Sequence, residues 1–524
     1  MAFLLLLQVL LLLLCLAVYF RHKSRFPLPP GLPRWPLLGN AFAIPTEAQH
    51  IFFKRLGAKL ESKILHFQVF GQSMVVINDL KIAQDLLDKR SAVYSSRPTI
   101  NVKDSDSPTT SMGIDFLFPF MPYGNEWRNR RRIFQRYFSP KNMSKEQDTQ
   151  LEFIRKGLLP NLLESPQNFS HQLIIFFSCL GGMITSSVYG IPVKRSSDPN
   201  VECQEHTFLV SEGSTTGRFL VDLIPALKYV PEWMPGASFK TIAREWSFMV
   251  NKVISDMYTA TLKGMDDGTT RECFVSWSLN EQRENDSGET NLQSGILQET
   301  AGTIYKAGTD TRLSTALTFI LAMLLHPDVQ RKAQAEIDAV VGSSRLPDFD
   351  DMPHLPYLSA VLRETLRWNP VLPLGIPHLT TEEDIYDGLR IPKGSMIIAN
   401  SYAMLHDEDN FPEPELFKPE RFLKEGKLNP DVLNPETTVT FGFGRRICPG
   451  AQTAISSLYL VMASILALFD VSPELDSEDK PVEVGPRFSE SIISRPLPFS
   501  CRITPRGDKK VENLLKEYMN FEII

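Results

Sequence analysis

The chain has 524 residues, 43 % of them hydrophobic and 22 % charged, which excludes a disordered or collagen-like polymer and allows either about three average domains or one large one. Its 55 basic and 61 acidic side chains leave a net charge of −6, so a polyanion binder, and with it a nucleic-acid partner, is not expected. Six cysteines (Cys15, Cys179, Cys203, Cys273, Cys448 and Cys501) form no C-x-x-C pair, which argues against a disulfide framework or a zinc ribbon and leaves room only for a cysteine that acts alone.

Residues 1–20 carry no charge and ten leucines, and at about 1.5 Å per helical residue they reach roughly 30 Å, the thickness of a bilayer core. A single transmembrane anchor is expected. A cleaved leader fits less well, because the run is long, has no basic residue before it and lacks a small-residue cleavage site. Arg21, His22, Lys23 and Arg25 follow, a positive flank that holds the body of the chain on the cytosolic side. On that topology the triplets at Asn142, Asn168 and Asn285 never meet the glycosylation machinery. Residues 21–45 are read as this basic flank and a proline-rich strap, Pro27 to Pro36, whose fixed φ angles and missing donors make it stiff and extended. It is expected to space the body from the membrane, with an SH3-type ligand as the alternative.

Alternation in Ile64–Phe70 and again in Met74–Ile77 predicts a hairpin around Gly71. Spacings of 3.6 residues predict helices near 80–90, 125–138, 145–163, 170–188, 240–263, 296–325, 327–341, 355–368 and 450–469. Strand-like runs lie near 385–400 and 480–504, and the polar stretch around 280–290 reads as a loop. With no internal repeat and no second linker, residues 46–524 read as one helix-rich, mainly α domain with small β-sheets.

Residues 441–450, Phe-Gly-Phe-Gly-Arg-Arg-Ile-Cys-Pro-Gly, form a glycine-rich loop that feeds the apolar helix beginning near Gly450. A thiol there lies at a helix N-terminus, where free N–H groups and the dipole favour the thiolate, the form that binds a metal. Glycines at 442, 444 and 450 let the backbone approach something flat, and Arg446 offers a cation to an anionic group beside it. These are the requirements of a haem whose iron takes one cysteine thiolate; the plain alternative is a structural cysteine. The stretch resembles the haem-binding loop of the cytochrome P-450 superfamily, F-x-x-G-x-R-x-C-x-G, matched by Phe441, Gly444, Arg446, Cys448 and Gly450.

Three further motifs resemble the same superfamily. Glu364-Thr-Leu-Arg367 matches E-x-x-R, a pair on one helix face, and Phe417-Lys-Pro-Glu-Arg421-Phe matches the segment that brings a third charge to it. The resemblance implies a structural triad of Glu364, Arg367 and Arg421. Ala307-Gly308-Thr309-Asp310-Thr311 resembles the oxygen-binding groove of the distal helix, where Ala307 and Gly308 leave space over the iron and Asp310 and Thr311 deliver protons. Arg312 departs from the pattern, since many relatives carry a hydroxyl residue there. Trp127 and Arg131, four apart, resemble W-x-x-x-R, whose cation meets a haem propionate; Arg128, Arg130 and Arg132 are expected on a positive surface that guides an acidic electron donor. His378 stands where relatives often place a propionate-binding residue, or is an ordinary turn histidine.

The resemblance implies a monooxygenase with haem b, using O2 and taking NADPH electrons through a cytochrome P-450 reductase, since no dinucleotide fingerprint or flavin domain is evident in the chain. Cytochrome b5 is a possible helper, and the implied location is the endoplasmic reticulum membrane with the catalytic domain facing the cytosol. Ile114, Phe116, Leu117, Phe118 and Phe120 occupy the place of the first substrate-contacting segment, and Val371, Leu372, Leu374, Ile492 and Ile493 are further pocket candidates, each with plain core packing as the alternative. Trp233 and Met234, between prolines, suit a loop that dips into lipid near a substrate entrance. The stretch 367–378 is similar in style to filamentous-fungal members of the O-methylsterigmatocystin oxidoreductase-like kind, which points to polycyclic aromatics, terpenoids or other secondary-metabolite or xenobiotic compounds. Two other readings stay open: a haem-thiolate isomerase or dehydratase that needs no reductase, and a haem-binding membrane protein without turnover.

Overall fold

The computed structural model describes residues 26–98, 116–164, 169–195, 198–199, 229–234, 237–284 and 290–524. The expected anchor at 1–20 and Ile114 lie outside these residues. The strap is not a free spacer. The Pro30 carbonyl accepts the His66 N–H at 2.8 Å, Pro27 accepts from Arg390 at 2.7 Å, and Asn40 ties down the carbonyls of Leu32 and Pro33. A side chain on Gly31 would meet the His66 carbonyl oxygen at 1.9 Å, so glycine is required where the strap crosses the sheet. These carbonyls are already engaged, which disfavours the SH3-type alternative.

The hairpin forms as expected: β1 (Ile64–Val69) and β2 (Gln72–Ile77) pair antiparallel through a turn at Phe70 and Gly71, both with positive φ. Helix α1 (Gln49–Lys59), unpredicted, packs Phe53 and Leu56 beneath it. The sheet is completed from far along the chain. β4 (Met396–Ala399) runs parallel to β2, and β3 (His378–Leu379) pairs antiparallel with β4, giving the order β1-β2-β4-β3.

The helical body consists of α2 (Asn125–Tyr137), α3 (Met143–Phe153), α4 (Phe169–Tyr189), α5 (Ser238–Asp266), α6 (Phe274–Glu284), α7 (Thr290–Leu325), α8 (Pro327–Val340), α9 (Pro356–Trp368), α10 (Ala451–Leu468) and α11 (Asp508–Leu515). In α2 the buried Trp127, Arg130, Phe134 and Tyr137 recur at helical spacing, which turns one face inward. Pro327 cannot continue α7, and the chain bends by 106° into α8, for which the same proline is a suitable first residue. Helix α10 is apolar on nearly every side because it is a core helix: it is long enough to cross a membrane, yet most of it is buried within the body. It packs with α3, α7, α8 and α9 around one large apolar cluster.

Three readings need correction. Residues 281–284 are the last turn of α6, held by the buried Phe274 and Val275 at its other end, so the expected loop does not begin at 280. The strand-like run at 480–504 contributes regular pairing only at its end, where β6 (Arg502–Pro505) joins β5 (Phe469–Ser472). The helices expected at 80–90 and 145–163 each contain a wider π-helical stretch, at Gln84–Lys89 and Ile154–Leu158.

Candidate functional site

The thiol loop is built by short local bonds. The Cys448 N–H donates to the Phe441 carbonyl at 2.8 Å, and those of Arg446 and Ile447 close tight turns onto Phe443 and Gly444. Arg131 on α2 donates to the Ile447 carbonyl at 2.6 Å and so braces the residue before the cysteine. Cys448 retains accessible surface although protein surrounds it, which is what an interior space in front of the sulfur requires. Its titration differs from the sequence expectation. Burial pushes the thiol above its usual range, while the Gly450 backbone N–H and the charges of Arg131 and Arg312 pull it back. Of the effects that favour the thiolate, the Gly450 N–H at the start of α10 is the largest, and the two cations add to it.

The glycines divide differently from the expectation. At Gly444, with φ +55°, a Cβ would lie 2.1 Å from the Leu87 carbonyl oxygen, so this glycine lets the loop dock against the 84–89 turn, with Asp88 accepting its N–H. Gly442, with φ +80°, meets nothing within 4 Å, and Gly450 is in ordinary contact with Phe134.

Above the 446 side chain the structure gathers cations without acids. Arg446 is 8 % exposed and donates to the carbonyls of Ser95 (2.7 Å) and Met121 (2.8 Å); its Nη1 has no partner. Its guanidinium lies 4.4 Å from the centre of the Trp127 ring. Arg97, 5 % exposed, donates to the carbonyls of Pro119, Ile376 and Pro377. Among the described residues neither arginine has a carboxylate partner, and each lowers the pKa of its neighbours: Arg446 acts on Arg97, and both act on His378. His378 is buried, bonded through Nδ1 to the Tyr94 carbonyl at 2.8 Å, and held neutral mainly by burial. Two buried cations with an orphaned N–H call for an anionic group, and the two propionates of haem fit. Arg97 belongs to no recognised motif and was missed in the sequence; only the meeting of four separate segments reveals it.

Along α7, Ala307 is exposed and Gly308 and Thr311 are partly accessible, whereas Thr309, Asp310 and Arg312 are buried. Gly308 does not chiefly create space on that side: a Cβ there would approach Ile184 Cδ1 of α4 at 3.1 Å, so its smallness serves helix packing, and Ala307 faces the open side. The Thr311 hydroxyl donates to the Ala307 carbonyl at 2.9 Å. Asp310 shares the adjacent face with Lys306, one turn earlier, whose pKa burial lowers and Asp310 raises.

Glu364, Arg367 and Arg421 meet as expected. Arg367 makes two bonds to Glu364, at 2.7 and 2.8 Å, and Arg421 Nε adds a third at 3.2 Å. By contrast, Arg130 leaves the expected positive surface: its side chain is buried and paired with Glu299. Arg128, Arg132 and Arg445 remain exposed.

The pocket candidates separate. Phe118 packs on Phe134 at 6.3 Å in the cluster that also holds Trp127, and Leu374 joins the cluster under the sheet, so both are taken up by core packing. Phe116 and Phe120 pack with Trp246, Val250 and Ile254 of α5. Val371, Ile492 and Ile493 are brought towards α7: the Ser494 N–H donates to the Val371 carbonyl at 2.8 Å, and Ser314, one turn beyond Asp310, bonds the Ser494 carbonyl. Leu372 is partly buried in the same turn, its carbonyl accepting from Gly375 at 2.9 Å.

Among the described residues no three His, Cys, Asp or Glu side chains are grouped to hold a metal ion, so a metal bound by the lone Cys448 must bring its remaining ligands with it, as a haem iron does. A helix-rich body with one thiol loop and an acid-free cationic shelf defines a haem-thiolate protein. The chain belongs to the cytochrome P450 family, whose model matches residues 29–501. A cytochrome P450 monooxygenase of Armillaria gallica is 38 % identical over 509 residues, 97 % of each chain. Another, from Coprinopsis cinerea, is 39 % identical over 91 % of this chain and 89 % of its own. A tryptamine 4-monooxygenase of Psilocybe cyanescens is 35 % identical over 94 % of this chain and 95 % of its own. The protein is a haem-thiolate monooxygenase similar to these fungal enzymes.

Proposed function

We propose that this monooxygenase hydroxylates a lipophilic secondary metabolite or xenobiotic, a polycyclic aromatic or a terpenoid, with electrons from NADPH delivered by a membrane-bound cytochrome P-450 reductase, with or without cytochrome b5. The observation that carries the reading is the acid-free pair Arg97 and Arg446 beside the loop of Cys448. Bound haem supplies oxygen activation, and thiolate ligation favours O–O cleavage. The protein's own residues do the rest. Cys448 would supply the sulfur that holds the iron, and Arg97, Arg446 and His378 would hold the propionates, with Trp127 stacked on Arg446. Arg131 braces the loop through Ile447 and adds its charge to the same side. The Asp310 carboxylate takes protons from the interior and passes them to the Thr311 hydroxyl, which the Ala307 carbonyl orients. Phe116, Phe120, Val371, Leu372, Ile492 and Ile493 exclude water and present apolar surface to the substrate.

The likeness to a tryptamine 4-monooxygenase of Psilocybe cyanescens supports an aromatic guest. Residues 1–20 as an anchor, with the domain on the cytosolic face of the endoplasmic reticulum, agree with the exposure of Trp233 (80 %), Tyr229 (76 %) and Phe42 (82 %), large side chains that lipid would cover. Exposed Arg128, Arg132 and Arg445 suit an acidic electron donor. The test is co-expression with a reductase and product analysis over lipophilic aromatics and terpenoids. Oxygenated products that require NADPH and the reductase support the proposal; turnover without them would assign the isomerase or dehydratase reading instead.

A further inference from the structure

Residues 508–524 lie beyond the 29–501 stretch that the family model matches, yet they are tied into the body. Helix α11 puts Val511 and Leu515 into the main core. Beyond it, Ile524 is 2 % exposed and exchanges two backbone bonds with Val193, at 2.8 and 3.2 Å. Arg195 holds the approach: its N–H donates to the Glu522 carbonyl at 2.9 Å and its Nη1 to the Met519 carbonyl at 3.0 Å, and it also pairs with Glu164. Residue 157 is glycine where Ile524 arrives, since a Cβ there would lie 2.9 Å from Ile524 Cδ1.

Val193 in turn presses on α4. A Cβ on Gly182 would meet Val193 Cγ1 at 3.1 Å and Phe153 Cε1 at 2.8 Å, so only glycine fits between the helix and what lies behind it. Ile184, two residues on, is the side chain that approaches Gly308 of α7. Two residues turn a helix by about 200°, so Gly182 and Ile184 point in nearly opposite directions. Helix α4 is therefore held between the 519–524 segment, acting through Val193, and the Gly308 turn of α7. Both contacts close on a glycine and leave no slack, and a close-packed interior passes displacement on rather than absorbing it.

We propose that Met519–Ile524 form a clasp that presses α4 onto α7, which makes Ile524 a positioning residue for the Ala307–Thr311 strip. The functional half of this rests on the reading of that strip as the open side over the cofactor. The test is hydrogen exchange by mass spectrometry on the full-length, haem-loaded enzyme, together with its affinity for 1-phenylimidazole read from the Soret shift. Ile524→Ser and a chain ended after Tyr518 are compared with the conservative Ile524→Val, and with Leu56→Ala, which loosens the cluster under the sheet instead. In the first two, exchange in α4 and in residues 303–311 is expected to rise about tenfold while α10 keeps the parent's rate. Their affinity for 1-phenylimidazole is expected to fall about threefold. Ile524→Val and Leu56→Ala should keep the parent's values for both. Unchanged exchange around Gly308, a rise shared equally by α10 or by Leu56→Ala, or an unchanged affinity would overturn the proposal. No Soret shift with 1-phenylimidazole in the parent would instead remove the reading of the strip, and the exchange rates would still decide the clasp.

Discussion

Glu364 offers the most direct test of what holds the haem side of the fold together. Its carboxylate accepts two bonds from Arg367, one from Arg421 and one from the Lys418 N–H at 2.7 Å, and neither it nor Arg367 has accessible surface. Glu364→Ala leaves two guanidinium groups without their ion-pair partner and a backbone donor with no acceptor. Arg367 keeps bonds to the carbonyls of Leu405, Pro414 and Leu416, which satisfy its N–H groups but not its charge. Stranding a buried charge costs about 3–5 kcal/mol, set against a whole-domain stability of roughly 5–15 kcal/mol. Arg421→Met should cost less, about 1–3 kcal/mol, because a single bond ties it to Glu364 and its other bonds reach the carbonyls of Pro412, Glu413 and Leu416. The combined change of Glu364→Leu, Arg367→Met and Arg421→Met should recover most of the Glu364→Ala loss, since it removes every charge together. The assay is denaturant unfolding of the haem-loaded protein, followed by Soret absorbance and tryptophan fluorescence. A Glu364→Ala midpoint corresponding to less than about 1 kcal/mol of loss would refute the reasoning.

Arg97→Gln should release haem about 10–100-fold faster than the parent, the equivalent of one charge-assisted hydrogen bond of ~1.5–3 kcal/mol, and should narrow the preference for haem over its uncharged dimethyl ester; an unchanged preference in reconstitution would exclude Arg97 from propionate binding. Gly444→Ala places a methyl group against the Leu87 carbonyl at a positive φ, so the ferrous carbonyl spectrum should lose its thiolate band even though the ligand is intact, whereas Gly442→Ala, also at a positive φ but meeting no atom, should cost only backbone strain of about 1–3 kcal/mol and keep the band. His50 and His66 are both pushed down to about 4, chiefly by burial, with Arg34 and Arg390 adding to the effect at His66. A lowered pKa means the unfolded chain binds the proton first, so stability present above about pH 6.5 is lost as pH falls towards 4; His66→Gln should flatten the unfolding free energy across that window by up to about 1.4 kcal/mol per pH unit, and an unchanged slope would refute the assignment.

Helices at the surface were legible because they bury one face along their length, and the spacing of buried residues in α2 and α8 is the signal that periodicity detects. Elements fixed by distant partners were not. Helix α6 reads as polar through Glu281, Arg283 and Glu284, yet its first residues, Phe274 and Val275, are anchored in a cluster built by α2, α4 and α7. Helix α11 owes its place to Val511 and Leu515 entering the main core, and the final residue, Ile524, pairs with Val193 through two backbone bonds, neither of which leaves a local pattern. The π-helical turns change which residues face inward without any residue type that announces them.

For the site, motif spacing located Cys448 and Arg446 on one loop and Glu364 and Arg367 on one helix, while Trp127 and Arg421 were found through short motifs of their own. What it assigned poorly was the reason for each residue. Gly444 and Gly308 are both small because another backbone or side chain approaches them, Leu87 in one case and Ile184 in the other, and such contacts exist only after folding. Arg130 and Arg131 are adjacent in sequence, yet a helical step of about 100° sends one to Glu299 and the other to the carbonyl beside Cys448. The charge balance is the least local property of all. Arg97, His378 and Arg446 come from three separate segments of the chain, and the carbonyls that receive the arginines carry no net charge, so they satisfy geometry while leaving two positive charges in the interior. A fold that concentrates cations there is arranged around negative charge that the described residues do not supply, and the two carboxylates of a haem would bring it.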